Sequence, residues 1–86
     1  MPKITVQPEL VYLDSDYADV CTYVETAGGD WKVTTSKDRH TKDVYETIEY
    51  ADSDECFDET DKEMPADVRA LFDSVHPVAL EILSKI

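Results

Sequence analysis

The densest group of chemically capable side chains is a run of carboxylates between residues 52 and 63. Seven acidic residues and one lysine occupy these twelve positions. Asp52, Asp54 and Glu63 match the first, third and twelfth positions of an EF-hand calcium loop. The fifth and sixth positions, however, hold Cys56 and Phe57, where the loop needs an oxygen ligand and a glycine. The run therefore predicts loose screening by divalent cations, and no specific metal site.

The remaining candidates for catalysis or metal binding are two cysteines and two histidines. Cys21 and Cys56 are 35 positions apart with no CxxC pair, so a zinc site would lack ligands. We expect two buried, reduced thiols, with a disulfide as the alternative. His40 and His76 have no serine or cysteine partner in a recognisable nucleophile motif. We therefore expect no catalytic residue, no cofactor and no enzymatic activity.

The charge of the chain restricts the kinds of molecule that it can bind. The chain has 86 residues, with 20 acidic against 8 basic side chains and a net charge of −12. Such a surface repels phosphate backbones and anionic lipids, so direct binding to nucleic acid or membrane is not expected. The start of the chain does not resemble a signal peptide, and residues 75–83 are too short and too polar to span a bilayer. We expect a cytoplasmic protein.

The first 51 residues predict a sheet. Residues 3–13 alternate apolar and polar side chains, and Pro8 in this stretch indicates an edge or bulged strand. Residues 19–35 predict a hairpin whose turn contains Gly28 and Gly29. Residues 43–51 predict a fourth strand, in which Glu46 faces the opposite way from Glu49. The connection at 36–42 holds the basic cluster of the chain.

The second half predicts a connector and a helix. Residues 52–64 form an acidic connector, and residues 65–86 repeat apolar side chains at helical spacing. Pro77 lies inside this repeat and predicts a kink or a restart near His76. At this length the chain forms a single domain. The expected fold is α+β: a four-stranded antiparallel sheet packed by a C-terminal, Pro-kinked amphipathic helix.

The aromatic residues allow two interpretations. Strand propensity favours Tyr12, Tyr23, Trp31, Tyr45 and Tyr50 as sheet and core residues. Alternatively, Tyr17, Tyr23 or Tyr45, which have acidic neighbours, are exposed anchors of a protein interface, because tyrosine is enriched at binding hot spots.

The abundance of acidic residues has two explanations. The first is that the acidic run is a solvated linker, which is the ordinary role of such a run. The second is imitation of DNA, since a strand rises about 3.3 Å per residue and each DNA strand carries a charge every ~3.4 Å. For that role we expect eight partner-binding residues: Glu46, Glu49, Asp52, Asp54, Glu55, Asp58, Glu59 and Asp61.

In overall composition the chain resembles the small acidic proteins with which phages and mobile elements mimic DNA. That resemblance implies a non-enzymatic inhibitor of a nuclease, restriction or CRISPR complex, glycosylase or gyrase, acting as a monomer or homodimer on a basic DNA- or RNA-binding host protein. One alternative is an immunity or antitoxin-type protein that neutralises a cognate toxin. Another is a halophilic or calcium-tuned structural module, although six of the eight basic residues are lysines, which we do not expect of a halophile.

Overall fold

An antiparallel sheet and one C-terminal helix make up the fold, as expected for the α+β class. A computed structural model describes residues 1–52 and 56–86. The described elements, in chain order, are β1 (Lys3–Leu13), β2 (Tyr17–Thr26), β3 (Gly29–Asp38), β4 (Val44–Ala51), β5 (Asp58–Glu59) and α1 (Ala66–Ser84). Each strand pairs with the next along the chain, so the sheet is a meander in the order β1-β2-β3-β4-β5.

The described sheet has five strands rather than the four that we predicted. The additional strand, β5, lies inside the predicted acidic connector and places Glu59 opposite Glu49 and Asp58 opposite Tyr50. Two polar residues give no hydrophobic alternation, so sequence periodicity could not detect this strand. The central hairpin also extends further than predicted, over Tyr17–Asp38 instead of 19–35.

The hairpin between β2 and β3 depends on one glycine. Thr26 pairs with Gly29, which leaves Ala27 and Gly28 as the two-residue loop. Gly29 has φ +147°, and a Cβ there would lie 2.6 Å from the Ala51 carbonyl oxygen and closer still to the Tyr50 hydroxyl. That hydroxyl donates a hydrogen bond of 2.6 Å to the Gly28 carbonyl. The turn therefore needs glycine at position 29, both for its conformation and for space.

Strand β1 is an edge strand with an irregular register, as Pro8 predicts. Its pairing with β2 shifts between Ile4 and Val6, between Val6 and Glu9, and between Leu10 and Tyr12. Proline cannot donate to a ladder, so the strand bulges around it. The shifts also change which side chains share a face, because Leu10 lies opposite Val20 whereas Tyr12 lies opposite Asp19.

Helix α1 runs without interruption through Pro77, so the restart predicted near His76 is absent. Proline removes one helical hydrogen bond, that between its own nitrogen and the carbonyl of Asp73. Both residues are exposed, so water can replace the lost bond on the solvent side of the helix.

The C-terminal end of α1 is stabilised by a lysine from the sheet. The last helical turn contains no basic residue. Instead Lys37, a buried residue of β3, donates a hydrogen bond of 3.0 Å from Nζ to the Leu83 carbonyl. The Leu83 carbonyl also accepts the backbone N–H of Ile86 at 3.2 Å, and the lysine adds a positive charge that complements the negative end of the helix dipole. The basic cluster predicted at 36–42 thus begins inside a strand and has a structural role.

The core lies between α1 and one face of the sheet, in two clusters. One cluster lies at the start of the helix and contains Val24, Trp31, Val33, Val68 and Phe72. The other lies at the end of the helix and contains Ala18, Val20, Ala79 and Leu83. All four buried helical residues belong to the predicted apolar stripe, which confirms that this stripe covers the sheet.

Candidate functional site

Among the described residues, no helix or strand covers the sheet face opposite α1, which we call the open face; the Phe57 ring packs there against Tyr23, with ring centroids 5.5 Å apart. It carries a shallow depression of about 460 Å³ lined by residues of β1, β2, β3 and β4. Three tyrosines at its rim, Tyr12, Tyr17 and Tyr45, are between 43% and 50% exposed. Tyr17 and Tyr45 are two of the three candidates for exposed interface anchors, and the third, Tyr23, is half-buried. Tyr12 and Tyr45 were also expected among the sheet and core residues. Both lie in strands but neither is buried, so the expectation of a core position was wrong for both.

The change of register in β1 brings Tyr12 to the open face. Without the shift after Leu10, strict alternation would place Leu10 and Tyr12 on the same side of the sheet. The Tyr12 hydroxyl donates a hydrogen bond to Asp14 Oδ2. This bond and the negative charge of Asp14 raise the pKa of Tyr12. No pattern in the sequence marks the position of the bulge, so sequence analysis missed this residue.

Asp14 organises the turn between β1 and β2. Its Oδ1 accepts hydrogen bonds of 2.7 Å from the backbone N–H groups of Asp16 and Tyr17. The bond from the Tyr12 hydroxyl and these two backbone bonds lower the pKa of Asp14. Attraction to the positive charge of Arg39 lowers the pKa of Asp14 further. Three hydrogen-bond donors and one positive charge thus hold this carboxylate in the turn. Asp14 is therefore a structural acid.

The basic loop after β3 binds this same turn. The Arg39 backbone N–H donates to the Asp16 carbonyl at 2.8 Å. The Nε2 of His40 lies 2.7 Å from Asp16 Oδ1. Within the loop, Asp38 Oδ1 accepts the backbone N–H groups of His40 and Thr41, and bonds from Thr41 and His40 lower the pKa of Asp38. His40 and Arg39 therefore make their contacts within the chain, with Asp16 of the neighbouring turn.

Lys32 is the cation at the centre of the open face. Its Nζ lies 3.8 Å from Glu49 Oε1 and within 5.7 Å and 6.0 Å of the ring centroids of Tyr23 and Phe57. Partial burial acts to lower the pKa of Lys32, but attraction to Cys21, Glu49 and Tyr23 outweighs it and raises the pKa overall. The lysine neutralises Glu49 and packs against two rings.

The two cysteines differ in exposure. Cys21 is buried beneath the depression, with Sγ 3.4 Å from the Thr34 hydroxyl oxygen, whereas Cys56 is exposed. Both are free thiols. The expectation that both thiols are buried was therefore wrong for Cys56, which lies in a polar segment of the connector with no apolar layer over it.

The predicted partner-binding acids separate into three groups. Glu49 and Glu59 lie opposite each other on the open face. Glu46 points to the helix side, where Arg69 lies 3.4 Å away and His76 4.0 Å away. Asp58, within β5, is exposed, as are Asp52, which follows β4, and Asp61, which follows β5. Asp54 and Glu55 lie outside the described residues.

We call Asp52, Asp58, Glu59 and Asp61 the acidic margin. All four are exposed, and none forms an ion pair with another residue of 1–52 or 56–86. Glu49 and Glu46, in contrast, each have a cation within 4 Å. Among the described residues of the predicted site, the margin is therefore the part whose charge is not compensated by an ion pair.

Within the described ranges, no group of three or more His, Cys, Asp or Glu side chains is arranged to hold a metal ion. Nor does any described helix have the length and apolar character needed to cross a membrane.

Comparison with protein-family models, with curated proteins and with solved structures found no match to this chain.

Proposed function

We propose that this protein is a non-enzymatic acidic inhibitor that binds the basic, nucleic-acid-binding surface of a host protein and blocks it, as a DNA mimic of phage or mobile-element type does. The observation that supports this proposal is the acidic margin. Its four carboxylates are solvated and unpaired among the described residues, although the chain carries eight basic side chains. Internal ion pairing is therefore not the reason for these acids.

The spacing of the charges is compatible with mimicry. Asp58 and Glu59 are consecutive strand residues, and Glu59 lies opposite Glu49 on the neighbouring strand. Successive strand side chains point to opposite faces, so Asp58 shares the helix side with Tyr50, whereas Glu59 and Glu49 share the open face. These two face-sharing acids stand on strands ~4.8 Å apart, a distance comparable to the charge spacing along a DNA strand. Lys32 already pairs with Glu49, so Glu59 is the member of this pair whose charge a positively charged partner would compensate.

The tyrosines of the open face favour a second candidate, an immunity or antitoxin-type protein. Tyr12, Tyr17 and Tyr45 surround a concave surface, and aromatic side chains of this kind act as anchors in shaped interfaces. Under this second function, affinity would depend on the tyrosines more than on the margin.

The experiment is capture of host proteins from a bacterial lysate on the immobilised protein, followed by competition with duplex DNA. We expect the retained protein to be a nucleic-acid-binding protein that duplex DNA releases. The variant Asp52→Asn/Asp58→Asn/Glu59→Gln/Asp61→Asn should lose capture at least about tenfold, because contiguous charges are screened less effectively than scattered ones.

The matched control is Glu9→Gln/Glu25→Gln/Asp43→Asn/Glu81→Gln, which changes four exposed acids far apart in the chain. Each variant removes four negative charges from a net charge of −12 and leaves −8. We expect the control to retain capture. Equal loss in both variants would show that only the total charge matters. Retention by the margin variant together with loss in Tyr45→Ala would favour the immunity-type function.

A further inference from the structure

The two edges of the sheet differ in how well they are protected. On one side, β1 is bulged at three places and carries Pro8, features that discourage another strand from pairing. On the other side, β5 pairs only with Glu49 and Tyr50 of β4. The first half of β4, from Val44 to Ile48, therefore forms the outer edge.

No segment within residues 1–52 or 56–86 returns to cover that edge. The Thr60 N–H donates to the Ile48 carbonyl at 3.3 Å, the last backbone bond between the connector and β4. Two residues later, Lys62 Nζ lies 4.1 Å from the centroid of the Tyr50 ring, on the helix side of the sheet. The connector has thus turned under the sheet before reaching the level of Val44.

The backbone groups at this edge are available for pairing. Alternate residues of a strand point their N–H and C=O groups the same way, so Val44 and Glu46 point outward with Ile48. Among the described residues, no backbone hydrogen bond reaches these groups of Val44 or Glu46. Beside them, a groove of about 440 Å³ is lined by residues that include Glu46, Glu59 and Asp61.

We infer that the open half of β4 is a strand-addition site, and that its occupant is an extended basic segment of the partner with alternating cationic and apolar residues. This inference rests on the proposed function, which supplies a basic partner. On the open face, the cationic side chains would meet Glu59 and the exposed Tyr45 ring, a cation–π partner. On the helix side, the apolar side chains would meet Val44, which is 43% exposed.

A second copy of the chain is the less suitable occupant. Pairing β4 with itself would bring together two molecules of net charge −12 and add the Glu46, Glu59 and Asp61 carboxylates of one copy to those of the other. A cationic strand gains the same backbone hydrogen bonds and attraction in place of repulsion.

The probe is a labelled peptide, acetylated and amidated, of alternating arginine and valine. Two further peptides carry N-methyl groups on every valine or on every arginine, so their charge is the same and only the available N–H groups differ. An antiparallel strand on β4 would turn its valine N–H groups toward Val44 and Glu46. We expect the valine-methylated peptide to bind at least about tenfold more weakly, and the arginine-methylated peptide to bind within about threefold of the parent.

Amide hydrogen exchange provides a readout at single residues. The N–H groups of Val44 and Glu46 should exchange rapidly in the free protein and become protected when the parent peptide binds. Equal binding of all three peptides without this protection would overturn strand addition while leaving charge-driven inhibition intact. Absence of peptide binding at low salt would overturn it as well. Protection that depends on protein concentration without peptide would assign the edge to a second copy and overturn the inferred occupant.

Discussion

The turns at the two ends of the sheet depend on a few individual residues. At one end, the side chains of Asp14 and Asp38 accept backbone N–H groups and fix two neighbouring turns. At the other end, Gly29 allows the Tyr50 hydroxyl to reach the Gly28 carbonyl. Asp14 and Asp38 thus have structural roles, so fewer acids are free to bind a partner than the number of acids in the chain suggests.

Gly29→Ala should destabilise the protein, and Gly28→Ala should not. A methyl group at position 29 would collide with the Tyr50 hydroxyl and the Ala51 carbonyl, in a backbone conformation that alanine rarely adopts. We expect a loss of about 2–4 kcal/mol in the free energy of unfolding, measured by urea denaturation. A Cβ at position 28 has no neighbour within 4 Å, so that variant is the matched control. Equal stability of the two variants would contradict this account of the turn.

Element by element, the sequence predicts the regular parts of the fold and misses the irregular ones. The helical stripe and the alternation that separates Glu46 from Glu49 follow from periodicity alone. The bulge that exposes Tyr12 and the two-residue strand β5 have no periodic signal, because each depends on contacts between distant segments. The candidate site combines both kinds of element: the face on which Glu49 lies follows from the alternation in β4, whereas Asp58 and Glu59 lie in the unpredicted strand β5 and Tyr12 follows the unpredicted bulge.

Pro77 lies in the interior of α1, where proline is unfavourable for helix stability. Pro77→Ala should stabilise the protein by about 1–3 kcal/mol, because alanine restores the hydrogen bond to the Asp73 carbonyl and removes the ring clash. Thermal unfolding measures the gain. Pro65→Ala, at the N-cap of α1, is the control and should change stability little, since the N–H there has no helical partner. A loss of stability in Pro77→Ala would indicate that the helix is fitted to the sheet through a bend at Pro77.

For the whole molecule, stability reflects a balance between repulsion among carboxylates and the acids that the fold uses. A net charge of −12 on a body with a radius of gyration of 12.9 Å is more costly in the folded state than in the expanded unfolded state. Partial protonation of the carboxylates relieves that cost. Asp14 and Asp38 act in the other direction, because their hydrogen bonds are made to the charged form and lower their pKa values.

The melting temperature should therefore pass through a maximum on acidification. It should rise from pH 7 toward about pH 5 as repulsion weakens, by several degrees at low salt. Below the usual aspartate pKa of 3.8 it should fall, because Asp14 and Asp38 have lowered pKa values and their stabilisation is lost as they are protonated. Sodium chloride at about 0.5 M screens repulsion between exposed charges, so it should raise the melting temperature at pH 7 and flatten the rise toward pH 5. A profile at pH 5–7 that does not respond to salt would mean that the carboxylates are already compensated, and the acidic margin would then have no unbalanced charge to offer a partner.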